Sequence, residues 1–147
     1  MAFDFTPLWI SLRTSVCAGI VVFILGLLCA RAFLYAKGWV KWLTDVLFTL
    51  PLVLPPTVLG YFLLVSVGKN SPIGQWLMQW DILLIFTWPA TVLAAVVVAF
   101  PLMYRAAKGA LEQVDTDMVW AVRTLGMHEW NIFLRVMLPQ AWPGIAA

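Results

Sequence analysis

Between Trp9 and Ala30 the only charged side chain is Arg13. A run of that length, folded as a helix, crosses the roughly 30 Å hydrocarbon core of a bilayer. Comparable runs follow at about 43–67 and 82–104. Backbone N–H and C=O groups find no water in hydrocarbon, so spanning segments of this length must satisfy them internally as helices. Composition points the same way: 63% of the 147 residues are hydrophobic and 11% charged, against roughly 25% charged in a soluble domain. Mean hydropathy is +0.94. A soluble globule would expose most of this apolar surface. The expected fold class is an all-α integral membrane protein, one domain over 1–147, with three transmembrane helices.

A cleaved signal peptide competes for the first run, since Ala30-Arg31-Ala32 loosely matches a small-x-small site. Asp4 ahead of Arg13 makes a poor basic leader and Arg31 sits inside the site, so an uncleaved span is predicted. Leu27 and Leu28 disfavour a lipoprotein site at Cys29. On one helix Cys17 and Cys29 lie about 18 Å apart, which excludes a disulfide between them.

The second run contains Leu50-Pro51-Leu52-Val53-Leu54-Pro55-Pro56-Thr57-Val58-Leu59-Gly60-Tyr61, where three prolines interrupt the hydrogen-bond ladder. Freed carbonyls at membrane depth survive where they face protein or a wet cavity. A pore-lining or gating helix and a simple packing kink both satisfy that condition. Gly68-Lys69-Asn70-Ser71-Pro72-Ile73-Gly74 then carries strong turn chemistry, and Trp76 and Trp80 mark an interfacial segment. The third run includes Pro89 and Pro101, and Arg105 and Lys108 are expected to stop it at Tyr104.

Lys and Arg are unevenly shared between the two sides. Residues 31–41 hold three, residues 105–135 hold four, and the loop between the second and third runs holds one. The positive-inside rule places the amino terminus outside and residues 105–135 in the cytoplasm. Trp39 and Trp42 beside the first basic group fit an inner interface.

The one polar, glycine-punctuated helical stretch follows, over about 112–139. Asp115 or Thr116 can cap a helix from about 117 to 125. Met118, Ala121, Val122 and Leu125 fall at i, i+3, i+4 and i+7 and share a face. Gly126 supplies a left-handed stop. A second amphipathic stretch carries Trp130, Phe133, Leu134, Met137 and Leu138 on one side, with Asn131 and Arg135 elsewhere. Two helices this short cannot span and need a protein groove for their apolar faces.

The order Ala121, Gly126, Leu138-Pro139 resembles the cytoplasmic loop of ABC importer permeases, whose pattern is Glu-Ala-Ala, three residues, Gly, nine residues, Ile-x-Leu-Pro. Trp120, Val122 and Val136 stand where that family has Glu, Ala and Ile. The resemblance implies a MetI-like permease fold with cytoplasmic coupling helices. It assigns ATPase coupling to Met118, Ala121, Val122, Leu125, Gly126, Leu138 and Pro139. It further implies a permease homodimer, a separate ABC ATPase subunit that holds ATP and Mg, and an extracytoplasmic binding protein. Such permeases continue through at least two more spans, so the apolar segment starting at about 141 reads as the beginning of one and the chain as truncated before the last spans.

The proline-rich run of the second span and the 68–74 turn are similar to the molybdate branch, with tungstate and sulfate permeases sharing related stretches. No Lys or Arg lies centrally in a span; Arg13 comes nearest. A tight dianion site would want such donors, so a low-affinity path is expected. Pro55, Pro56, Thr57 and Tyr61 are its candidate lining, with Ser66, Thr87 and Thr91 further hydroxyls. For any one of these hydroxyls taken alone, a bond to the carbonyl four residues back in its own helix is the preferred reading.

Other function classes are less well supported. No nucleophile–base pair, paired carboxylates or phosphate-cradling glycine loop is present, so the chain reads as a transport subunit, not an enzyme, with no cofactor of its own. One His and two remote Cys make no metal spacing. Scattered basic residues make no nucleic-acid stripe. His128, Glu112, Asp115, Asp117 and Glu129 read as solvated groups and caps. The alternatives are a small membrane channel or assembly protein without ATPase coupling, or an inactive truncated permease.

Overall fold

The computed structural model describes residues 5–80 and 87–146. The described elements, in chain order, are α1 Thr6–Phe33, α2 Trp39–Val53, α3 Pro56–Val67, α4 Pro72–Met78, α5 Trp88–Glu112, α6 Thr116–Thr124 and α7 Glu129–Ile132. A π-helical turn, Phe133–Met137, then leads into α8 Leu138–Ala146. No strand occurs among the described residues. Two helices, α1 and α5, are long and apolar enough to cross a membrane, and α2 with α3 make a third span if the bent pair counts as one.

α1 and α5 form the spine. On α1 the buried residues Thr14, Ala18, Val22, Gly26 and Ala30 recur every four positions. Leu12, Val16, Ile20, Ile24 and Leu28 make an equally regular exposed stripe. Both stripes are apolar, which suits one side for protein and the other for lipid. The inner stripe is small because helices in lipid gain little from apolar burial and associate through close backbone approach. A Cβ on Gly26 would sit 2.6 Å from Met103 Cγ and 3.3 Å from the Tyr104 backbone nitrogen. Ala30 and Ala107 are wholly buried in the same seam.

The contacts fix direction. Trp88 Nε1 donates to Thr14 Oγ1 (2.9 Å), while Gly26 meets Met103 further along. α1 and α5 therefore run parallel, and residues 34–87 must bring the chain back along the bundle. α2 begins that return antiparallel to α5. Lys41 pairs with Glu112 (3.1 Å), Asp45 with Lys108 and Tyr104, and Phe48 packs edge-on against Phe100 and Tyr104.

The return breaks where the prolines predict. Leu54 and Pro55 each precede a proline and are driven out of the helical region; their ψ values are 138° and 140°. Pro56 then starts α3, its fixed φ suiting a first helical turn. Two consecutive extended residues bend the pair by 111°. The expected single kinked span over 43–67 is thus a sharp elbow. Beyond it, Ser71 caps α4 by accepting from the Gly74 N–H (2.8 Å). Gly74 has no room for a side chain, because a Cβ would fall 2.0 Å from the Gly68 carbonyl oxygen.

The helix that carries the third span continues past Arg105 and Lys108 to Glu112, and Lys108 meets its counter-charge in Asp45 on another helix. The expected start of that span at 82–86 lies outside the described residues. One expectation is corrected: the second amphipathic stretch is not a separate short helix, since α7, the π turn and α8 run on continuously from Glu129 to Ala146.

Gly26→Leu forces a branched side chain into the α1–α5 seam. Overpacking of this kind costs about 1–3 kcal/mol, and the melting temperature in detergent should fall; an unchanged melting curve would show that the seam is not close-packed.

Candidate functional site

Residues 112–139 form a loop held in place at every step. Asp115 caps α6, accepting from the Asp117 N–H (2.9 Å). At the other end Gly126 adopts φ +78°, with its N–H on the Arg123 carbonyl (3.0 Å) and the Met127 N–H on the Val122 carbonyl (3.4 Å). That pair of bonds is a Schellman stop, which closes the last carbonyls of a helix and brings the flanking apolar residues together. Val122 and Met127 accordingly both lie against the core. His128 caps α7 through Nδ1, which accepts from the Trp130 N–H (3.3 Å).

Glu129 ties the two halves together. Arg123 donates to both its carboxylate oxygens (2.7 and 3.0 Å). Arg31, from the end of α1, donates to the Glu129 carbonyl (3.3 Å), lies 3.6 Å from its carboxylate and rests on the Phe133 ring. Arg123 also stacks on Trp120, 4.7 Å from the ring centroid. The Arg123 hydrogen bonds hold the Glu129 carboxyl below its usual range and raise the guanidinium in return.

With α6 capped at both ends and Arg123 paired to Glu129, the loop presents an apolar outer face. Val119 is buried, whereas Met118, Trp120, Ala121 and Leu125 are exposed, Leu125 at 80%. Gln140 on α8 donates to the Met118 sulfur, so the start of α8 borders this face. Of the seven residues assigned to coupling, Met118, Ala121, Leu125, Gly126 and Pro139 are exposed. Val122 and Leu138 are half-buried and lean on the core. The second stretch is phased differently from the expected stripe: Ile132, Phe133 and Met137 are buried, and Trp130 and Leu134 are exposed.

Pro55 and Pro56 form the elbow, and Thr57 and Tyr61 share an exposed face of α3. None of the four lines either of two cavities bordered by α5. One of these, about 620 Å³, is lined by Ile10, Thr87, Trp88 and Thr91 among others, with Arg13 stacked on Trp88. The other, at the loop end, lies between α2 and α5. Among the described residues no group of three His, Cys, Asp or Glu side chains could hold a metal ion.

Sequence reasoning missed the Asp45–Tyr104–Lys108 network and the part played by Arg31. A signal was there for the first: an Asp beside one apolar helix and a Lys beside another each call for a partner.

Residues 22–147 match the family described as the inner membrane component of binding-protein-dependent transport systems. The chain belongs to that family. It is 43% identical over 144 residues to the putative molybdenum transport system permease protein YvgM of Bacillus subtilis, covering 96% of this chain and 63% of that one. It is 50% identical over 106 residues to the molybdenum transport system permease protein ModB of Escherichia coli K12, covering 71% and 46%. The sulfate transport system permease protein CysT of the same organism is 30% identical over 138 residues, covering 94% and 50%. The chain thus spans about half to two thirds the length of these relatives. Family and apolar helices together make it a multi-pass inner membrane transport component, with the helical permease fold expected from the sequence.

Glu129→Gln should speed amide exchange across residues 116–132. The sign of the pH dependence follows from the lowered carboxyl: the ion pair is intact above the ordinary glutamate value of about 4.3 and is lost as pH falls through the lower folded value. The exchange difference between wild type and variant should therefore be full above the ordinary glutamate value and shrink as pH falls below it. A difference that does not shrink on acidification would mean the carboxylate is not what holds the loop.

Proposed function

We propose that this chain is the permease subunit of an ATP-driven importer that moves an oxyanion, molybdate first among the candidates, across the cytoplasmic membrane by alternating access. The observation that carries the reading is the exposed apolar face of α6, with Leu125 at 80% exposure, on a loop pinned by the Arg123–Glu129 pair. A contiguous apolar patch rimmed by charge marks a protein contact, and the relatives are permeases of transport systems. The partner is a cytosolic ABC ATPase that supplies ATP and Mg, and the working unit is a permease homodimer. An extracytoplasmic binding protein delivers the anion. The amino terminus lies outside and the 112–139 loop inside, in keeping with the basic residues of 31–41 and 105–135.

The permease itself holds the anion weakly. Lys108, the cation most deeply set in the bundle at 7% exposure, is already occupied by Asp45, and Arg13 stacks on Trp88 at the opposite end. ATP-driven closure of the ATPases acts on α6, and a ligand shifts the inward–outward balance only by its difference in affinity for the two states.

Leu125→Asp places a charge in the centre of the docking face. Losing a central apolar anchor costs about 2 kcal/mol or more, so co-purification of the ATPase should weaken at least about 30-fold. Gly126→Pro cannot adopt φ +78° and also removes the N–H that Arg123 accepts. Molybdate uptake should be lost in both variants while membrane insertion is retained; normal uptake in both would refute the coupling role.

A further inference from the structure

The groove between the antiparallel α2 and α5 has a lining that the transport reading does not use. It encloses about 420 Å³ at the loop end of the bundle and is lined by Lys41, Asp45 and Thr49 from α2 and by Tyr104, Arg105, Lys108 and Glu112 from α5. Three cations there face two carboxylates. Lys108 is taken by Asp45 and Lys41 by Glu112. Arg105 is exposed and makes no ion pair among the described residues, so the groove carries one uncompensated positive charge.

The surroundings are those of a membrane interface. Trp39 and Trp42 flank Lys41 on α2 and are 73% and 66% exposed, as expected of indole rings at headgroup level. Towards the bilayer centre the same helix exposes Leu43, Val46, Leu47 and Leu50. Val46 is itself part of the groove wall, so the cationic mouth opens onto an apolar strip. A ligand fitting both parts has one negative charge on a tetrahedral phosphate and a hydrocarbon tail.

We propose that the α2–α5 groove binds the phosphodiester headgroup of an anionic phospholipid, with its acyl chains along the exposed face of α2. Arg105 provides the unpaired charge, and Lys41, its side chain half-exposed at the groove mouth, shares its remaining donors with the phosphate oxygens. A monoanionic phosphodiester matches the single surplus charge, whereas a free oxyanion dianion would exceed it and leave the apolar strip bare. Basic pockets between helices at the cytoplasmic face are suited to such headgroups. The site rests on the inward placement of the loop only for which leaflet supplies the lipid.

Native mass spectrometry of the purified chain in neutral detergent, titrated with phosphatidylglycerol or phosphatidylcholine, tests this. Phosphatidylglycerol should be retained preferentially. Arg105→Gln and Lys41→Gln should each weaken it about fivefold, the effect of one cation near a lipid surface, and Arg105→Lys should keep it. Arg105 lies outside the packed core, so its substitution leaves the helices seated. Equal retention of both lipids, indifference to the Arg105→Gln substitution, or displacement by millimolar molybdate or inorganic phosphate would overturn the proposal. Sidedness is read separately by impermeant maleimide labelling of Gln113→Cys in oriented vesicles. External labelling would refute the inward loop and leave the headgroup site standing; lost lipid selectivity would do the reverse.

Discussion

Two helices immersed in lipid have no apolar surface to hide from water, so what joins α1 to α5 must be contact itself. The small stripe of Ala18, Gly26 and Ala30 lets backbones approach until Met103 and Tyr104 fill the space a Cβ would take. Everything else in the bundle is referred to this seam. Because the pair runs parallel, the intervening chain has to travel back, which makes α2 antiparallel to α5 and sets Asp45 opposite Lys108. α8 is seated against the same pair: a Gly144 side chain would begin 3.0 Å from Ala110 of α5, and Trp142 meets Phe23 of α1.

Polar contacts pin the seam where apolar packing alone would let it slide. Towards one end Trp88 bonds Thr14 and carries Arg13 on its ring. Towards the other, Asp45 accepts from both Tyr104 and Lys108. A buried lysine tolerates its desolvation only while a carboxylate faces it, so this contact makes α2 and α5 mutually dependent. Arg31 completes the set by holding Glu129. The loop is therefore bonded to α1 through a side chain and to α5 and α8 through the chain itself.

What could be read from the sequence divides by range. The cap at Asp115, the stop at Gly126 and the break at Leu54-Pro55 rest on interactions within a few residues, and the local chemistry names them. The Glu129–Arg31 contact spans 98 positions and Tyr104–Asp45 spans 59; no local pattern carries either. Lys108 shows the consequence: read locally it is a bare charge closing an apolar run, and its partner Asp45 lies 63 positions away on another helix. The proline elbow was legible as a break but not as a 111° turn, since the direction depends on two ψ angles acting together. On α6 the apolar periodicity was correct, but it does not say which edge meets the bundle: Val119 faces in and Leu125 out.

The Leu138-Pro139 pair illustrates how a local breaker is absorbed. A proline ring within a helix collides with the carbonyl four residues back, here that of Arg135. One turn of wider winding removes the collision: the Leu138 N–H reaches back to the Phe133 carbonyl, five residues earlier. The extra residue per turn also resets the phase, so that Ile132, Phe133, Met137 and Ala141 all face the core, while Leu134, which uniform 3.6-residue winding groups with the inward set, points away. The proline that reads as the end of the loop instead joins the loop to α8 as one rod, with Trp142 packed against Phe23 of α1. α6 is tied to that rod by the Arg123–Glu129 pair, so the apolar outer face and the bundle meet through one continuous element.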